Sequence, residues 1–282
     1  KLLEEYRKYS LTNHSPSSQK RYRAVVDHFN EFLRGYSYLT KLSQLELKTF
    51  EDYKGFRKEQ EAANKTINFE IGCLRAIFYL AKSWGYIKEN PAVGVKRLKE
   101  DTHKKPRFLT MEEVKLLLEN CGDDLYPIFH TFLNTGMRKS ELEHLEWKDI
   151  DFIRKKIKIR VKDTWRPKSS EREIPINEGL IELLTKHKKT KQGTLVFHRD
   201  DGQPIEPNSL RKKLMTLTKN LGFPDVTKLH TLRHTFASYL VMKGVDLPTV
   251  KKLLGHSSID MTMIYSHLSD EHVDKAVEKL KF

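Results

Sequence analysis

The stretch KLHTLRHTFASYL, Lys228–Leu240, holds two patterns at once. Leu229, Leu232, Phe236 and Leu240 recur at helical spacing and predict an amphipathic helix. His230, Arg233 and His234 follow i, i+3, i+4 spacing and are expected on the opposite, polar face within one turn. Two imidazoles and a guanidinium there are either a solvated surface or a site for a negatively charged group. The rest of the chain decides between them.

The chain has 282 residues, enough for about two ordinary domains. Hydrophobic residues make up 38%, which supports real cores, and the 32% that are charged are interspersed rather than blocked as in disordered chains. Fifty-two basic residues face 38 acidic ones, a net charge of +14, which points to a polyanion: nucleic acid first, an anionic membrane surface second. No apolar run approaches the roughly 20 residues that cross a bilayer, and no signal-like segment opens the sequence. Cys73 and Cys121 fit neither a disulfide framework nor metal-ligand spacing. A soluble, cytoplasmic protein without a membrane partner is expected.

Outward from the quoted helix, residues 15–34 read as a helix opened by Ser15 and Pro16, with Tyr22, Val25, Val26, Phe29 and Leu33 as its buried stripe. A second helix is expected over about 43–60. A third, NKTINFEIGCLRAIFYLAKSWG, buries Ile67, Ile71, Leu74, Phe78 and Ala81. Its other face carries Lys65, Asn68, Gly72, Arg75, Tyr79 and Lys82, which is either solvated or laid in a groove of DNA. The basic, non-periodic stretch 96–107 reads as a linker able to track phosphates, with Lys104, Lys105 and Arg107 as contacts.

After the linker, Thr110 and Glu113 form a capping-box pattern. Helices are expected at about 124–134 and 139–147. KIKIRV and REIPI predict a hairpin or three-stranded sheet, and TLVFHRDDGQPI a strand and turn. Helices then fill most of 207–282, with breaks at Gly222, Gly244 and Gly255. No internal repeat or low-complexity tract is visible.

Several polar residues stand out along this second part. Arg138 opens a helix and either pairs with Glu141 or meets an anion. Lys168 lies in the polar hairpin, His256 follows a glycine stop, and Tyr265 sits among Met and Ile residues. Each alone has an ordinary explanation. In chain order they stand in TGMRKSELEHLEW, PKSSEREIPI, LHTLRHTFAS and LLGHSSIDMTMIYSH.

Those motifs, in that order, resemble the tyrosine recombinase family of phage integrases, Xer-type recombinases and their relatives. The resemblance covers about 106–282 end to end, and the N-terminal part more loosely. It implies a mainly α fold with a small β-sheet: a helical core-binding domain at 1–97, a basic linker at 98–107 and an α+β catalytic domain at 108–282 with a C-terminal helix. The two-domain layout is the one expected of Xer-like or short integrases.

The resemblance also implies a reaction. A tyrosine attacks a DNA phosphodiester, forms a 3′-phosphotyrosyl bond and frees a 5′-hydroxyl, and a second 5′-hydroxyl reverses the step. By resemblance, Arg138 and Arg233 bind the phosphate oxygens, Tyr265 is the nucleophile and His256 donates a hydrogen bond. Lys168 is the general acid, and His230 takes the tyrosine proton or binds the phosphate. Glu141 orients Arg138 and His234 supports the site from behind. No metal and no other cofactor is expected. The implied partners are double-stranded DNA carrying a recombination site, further copies in a tetrameric synapse, and accessory proteins, in a nucleoid-associated setting. The segment after residue 269 is expected to dock on a neighbouring protomer.

Three rivals are set against this. A non-catalytic DNA binder has no reason to keep Tyr265 with its cations. A metalloenzyme using His230 and His234 lacks the Glu of an H-E-x-x-H helix. A type IB topoisomerase shares the chemistry, but the LLGHSS motif and two-domain layout favour recombination.

Overall fold

A computed structural model of the chain describes residues 1–36, 39, 41–100, 105–191 and 193–268. Lys104 and the segment from residue 269 onward, for which DNA contact and docking are expected, lie outside the described residues. The chain forms two compact units, Lys1–His103 and Lys104–Phe282.

The N-terminal unit holds α1 (Leu2–Asn13), α2 (Pro16–Leu33), a 3₁₀ turn at Leu42–Gln44, α3 (Leu47–Glu59) and α4 (Asn64–Ser83). The Ser15 side chain caps α2 by accepting from the backbone N–H of Ser18, with Pro16 in the first turn. The expected stripe of α4 is buried at all five positions. Rings dominate the core: Phe29 meets Tyr53 edge-on at 5.3 Å, and Phe50 meets Phe78 at 5.2 Å. α1 has no counterpart in the sequence reading. Its buried Leu2, Tyr6 and Ser10 recur every fourth residue, a pattern that includes a serine and so is faint as a hydrophobic signal.

Within this core, Glu70 accepts from Arg57 Nε at 2.8 Å and Nη2 at 2.9 Å, and from the Tyr53 hydroxyl at 3.0 Å. Both charged residues are buried, and neither leaves the other unpaired. Removing one partner strands the other charge in the core. Glu70→Ala is therefore expected to destabilise the protein by about 3–5 kcal/mol. Urea unfolding followed by circular dichroism reads this directly.

The C-terminal unit begins with α5 (Met111–Asn120) and α6 (Gly122–Thr135). Thr110 and Glu113 form the expected capping box on α5. After α7 (Lys139–Glu143) and a 3₁₀ turn at Trp147–Asp149 come β1 (Ile150–Asp151), β2 (Lys156–Ile159) and β3 (Arg172–Pro175). These pair antiparallel in the order β1-β2-β3, with Ile157 opposite Ile174 and both buried. α8 (Glu178–Thr190) and α9 (Ser209–Asn220) follow, then α10 (His230–Met242), α11 (Leu247–Leu254) and α12 (Asp260–Met263). α8 was not anticipated, although Asn177 caps it and Leu180 and Leu184 bury its inner face.

Two expectations are corrected here. TLVFHRDDGQPI forms no strand. Leu195 makes one isolated bridge to Glu146, and its partner segment turns at once into the 3₁₀ turn, so the ladder cannot extend. Nor is the helix at Lys228–Leu240 the simple amphipathic one that its apolar stripe predicts. Thr231, Leu232, Arg233, Thr235, Ala237, Ser238 and Val241 of α10 are all buried, which makes it a central helix wrapped by its neighbours. The buried hydroxyl of Thr235 is satisfied locally, its Oγ1 donating to the Thr231 carbonyl and accepting from the Leu109 N–H, whereas the buried Ser238 Oγ has no partner. Gly136, with φ +60°, ends α6 where α10 comes closest, and a Cβ there would lie 2.4 Å from Phe236.

Candidate active site

The C-terminal end of α11 organises the site. A helix end leaves carbonyl groups without intrahelical donors and carries the negative end of the helix dipole. Gly255, at φ +65°, turns the chain there and leaves those carbonyls open. Arg172 Nε donates to the Leu253 carbonyl at 2.9 Å, and Arg233 Nη2 to Leu254 at 2.7 Å. Arg138 Nη2 donates to Gly255 at 2.9 Å. Three arginines from three separate elements thus converge on one helix terminus.

One carboxylate serves two of them. Glu141, 1% exposed, accepts from Arg172 Nη1 at 2.9 Å and Nη2 at 2.7 Å, from Arg138 Nη1 at 3.0 Å, and from the Arg138 backbone N–H at 2.8 Å. Burial alone would raise its pKa, but Arg172 and then Arg138 hold it below the usual carboxylate range. Glu141 thus binds Arg138, the side chain it is expected to orient, and binds Arg172 as well. The sequence reading missed Arg172, a lone arginine at the start of REIPI. Its guanidinium packs where a Cβ on Gly255 would lie, at 2.9 Å.

Arg233 is different. It is 1% exposed, has no carboxylate partner, and donates only to the Gly136 carbonyl at 2.7 Å and to Leu254. Its Nε is buried without a partner. Burial and the charge of Arg138 push its pKa down to about 9, so it stays charged at neutral pH. A buried cation held by neutral acceptors alone is costly without an anion.

Tyr265 lies just beyond α12, 1% exposed, its ring packed against Ala237, Val241, Val250 and Leu254. Its hydroxyl is 2.6 Å from His234 Nδ1. Burial pushes the phenol up to about 12 against the pull of Arg233. His230, exposed at the mouth, makes no hydrogen bond to Tyr265, and its ring stands edge-on to His234 at 4.7 Å. The imidazole on the tyrosine is therefore His234, and His230, expected either to take the tyrosine proton or to bind the phosphate, makes no hydrogen bond to that hydroxyl. His256 Nδ1 lies 2.9 Å from Thr262 Oγ1, a buried hydroxyl. Lys168 is exposed and unbonded, but its neighbour Ser169 accepts from Arg138 Nη1 at 2.9 Å, which ties the hairpin to the site.

Among the remaining expected contacts, Lys65 is exposed at the rim of a hollow of about 680 Å³ that Arg21 and Arg97 also line. Asn68 and Arg75 are not free for DNA. Asn68 is buried and bonds both the N–H and carbonyl of Leu98, while Arg75 donates to the carbonyls of Ala92 and Val95. Asn64 adds a bond to the Lys99 carbonyl, so these side chains bind the chain as far as residue 99 onto α4. Arg107 likewise pairs with Glu113 and Asp225, and Lys105 is exposed. Among the described residues, no three His, Cys, Asp or Glu side chains group as a metal site. No described helix is long and apolar enough to cross a membrane.

The phage integrase family profile matches residues 107–272, and the phage integrase SAM-like domain matches residues 1–98. The chain belongs to the phage integrase family. Tyrosine recombinase XerC of Thermodesulfovibrio yellowstonii is 32% identical over 246 residues, 80% of each chain. The ICEBs1 integrase of Bacillus subtilis is 28% identical, over 89% of this chain and 74% of its own. Among solved structures, the Tn1549 transposon integrase in complex with transposon right end DNA shares the fold, with a TM-score of 0.82 at 23% identity over 98% of this chain and 99% of that one. The protein is thus a tyrosine recombinase of the integrase family, which cleaves and rejoins DNA strands.

Two outcomes follow from the site. Arg172→Ala leaves Glu141 with one arginine and opens the packing at Gly255, so it is expected to cost at least about 3 kcal/mol of stability by thermal or urea unfolding. The second concerns acid. Burial and the surrounding cations lower His234 and His256 to about 4, below the roughly 6.5 of an unfolded chain. Between those values the unfolded chain binds more protons. Stability without DNA is therefore complete above about pH 6.5 and is lost as pH falls towards 4. Thermal unfolding across that window should show the decline, flattened in His234→Gln and His256→Gln.

Proposed function

We propose that this protein acts at a specific DNA site, with Tyr265 attacking the scissile phosphate to form a 3′-phosphotyrosyl bond. The observation that carries the reading is Arg233: a buried guanidinium with only carbonyl partners, beside Arg138 and within electrostatic reach of the Tyr265 hydroxyl. A phosphodiester supplies the anion that this arrangement lacks. Its non-bridging oxygens suit the planar forks of two arginines.

Other groups take roles in keeping with their contacts. A neutral His256 that accepts from Thr262 through Nδ1 carries its proton on Nε2 and can donate it to a phosphate oxygen. His230, exposed at the mouth, binds the phosphate. Lys168, on the hairpin tied to Arg138 through Ser169, protonates the departing 5′-oxygen. Lys65 and Lys105 contact the backbone away from the cleavage point. Exchange between two duplexes breaks four strands, so four copies of Tyr265 are needed and a tetramer on DNA follows. The relatives' names include both Xer recombinases and an element's integrase, so the site decides between resolution and integration.

Covalent trapping tests the reading. The protein is incubated with sheared DNA from its source and denatured, and DNA still attached is sequenced. Wild type should recover defined fragments and Tyr265→Phe none. Arg233→Lys, which keeps the charge but loses the fork, should lower the yield rate about 10²- to 10³-fold. Reversible binding by wild type with no covalent DNA would return the protein to a binding role.

A further inference from the structure

The reading above leaves the tyrosine's proton without a destination. Resting on that reading, we propose that His234 is a catalytic residue: it aligns the Tyr265 hydroxyl and takes its proton as the oxygen attacks phosphorus. A general base must lie within about 2.6–3.2 Å of the oxygen it deprotonates. His234 Nδ1 lies 2.6 Å from Tyr265 Oη, and among the described residues the hydroxyl has no other hydrogen-bond partner. His256 is turned to Thr262, His230 does not bond the hydroxyl, and Lys168 is exposed.

The fold makes this contact rigid. His234 projects from the central helix α10, and the Tyr265 ring is packed between α10 and α11 by Ala237, Val241, Val250 and Leu254. The Tyr265 backbone N–H donates to the Thr262 carbonyl, and Thr262 is the partner of His256. With Tyr265 as donor, His234 is the neutral tautomer protonated on Nε2, and Nδ1 is the free base.

The Oη–P bond forms and the P–O5′ bond breaks. Nδ1 of His234 gains the phenolic proton, and the 5′-oxygen gains one from Lys168. Rejoining runs the same transfers backwards.

Electrostatics makes the base conditional on DNA. The groups facing His234 are Tyr265, His230, Arg233, Lys228 and His256. Burial, then His230 and the cations, push His234 down to about 4, while Tyr265 sits near 12, so the proton stays on the phenol in the free protein. A phosphate bound to Arg233 offsets that positive charge and raises the proton affinity of His234. The nucleophile is activated where its target already lies.

The test uses a nicked duplex carrying the trapped site, on which cleavage frees a short fragment and cannot reverse. Single-turnover formation of the covalent complex is followed from pH 5 to 9. His234→Asn keeps a polar group near Nδ1 but cannot take a proton at these pH values. It is expected to bind DNA like wild type in a gel shift and to cleave about 10²- to 10⁴-fold more slowly. Its rate should rise with pH throughout, without the levelling-off that ends the acid limb of wild type and of His230→Gln. Imidazole should restore part of the rate to His234→Ala. If His234→Asn does not fold, His234→Gln serves the same comparison.

Cleavage by His234→Asn within about twofold of wild type, or with the wild-type levelling-off, overturns the role of His234 and leaves the Tyr265 reading standing. A wild-type protein that forms no covalent complex overturns both.

Discussion

The site depends on one helix terminus. α11 ends at Leu254 with carbonyls that its own backbone cannot satisfy, and Gly255 exposes them. Arg172 from β3, Arg138 from the start of α7 and Arg233 from α10 all donate to this point. Three like charges would not gather without compensation. The helix dipole, the carbonyls and the single carboxylate of Glu141 hold them together. Glu141 is fully committed to Arg172 and Arg138, so Arg233 is the cation left for an incoming anion.

That excess of positive charge sets the protonation of everything near it. His234 and His256 are driven to about 4 and are neutral at pH 7, each by burial first and then by surrounding cations or histidines, and the cations Arg233 and Arg138 press on the exposed His230 in the same direction. Burial keeps the tyrosine protonated despite Arg233. The positive charge of the free site thus rests on its arginines, with the three histidines neutral and the tyrosine still protonated. A DNA phosphate supplies the complementary charge, and a site whose dipoles are already fixed needs little rearrangement to use it.

In the N-terminal unit, polar residues serve mainly to fasten the chain. Asn64, Asn68 and Arg75 of α4 tie down residues 92–99, and Arg57 and Tyr53 enclose Glu70. Exposed Arg21, Lys65 and Arg97 line the hollow beside them. A polar face at helical spacing therefore contained both kinds of residue. Spacing reports which side chains share a face, not whether another segment already covers it.

The sequence by itself determined the local elements and the identity of the chemical groups. Capping at Ser15 and Thr110, the apolar stripe of α4, the alternation of KIKI and the glycine stops depend on neighbours a few residues away, and short-range physics writes them into the chain. The motifs around Arg138, Arg233, His256 and Tyr265 carried the family. Tertiary structure decided the connections. Arg172 lies 31 residues from Glu141, and Tyr265 lies 31 from His234, so neither pair leaves a periodic trace. The burial of Arg233 was equally hidden, because a helix wrapped on all sides shows the same residues as one with a wet face. Which histidine meets the tyrosine was settled by how α10, α11 and the segment after α12 pack, a property of the folded chain and not of any stretch within it.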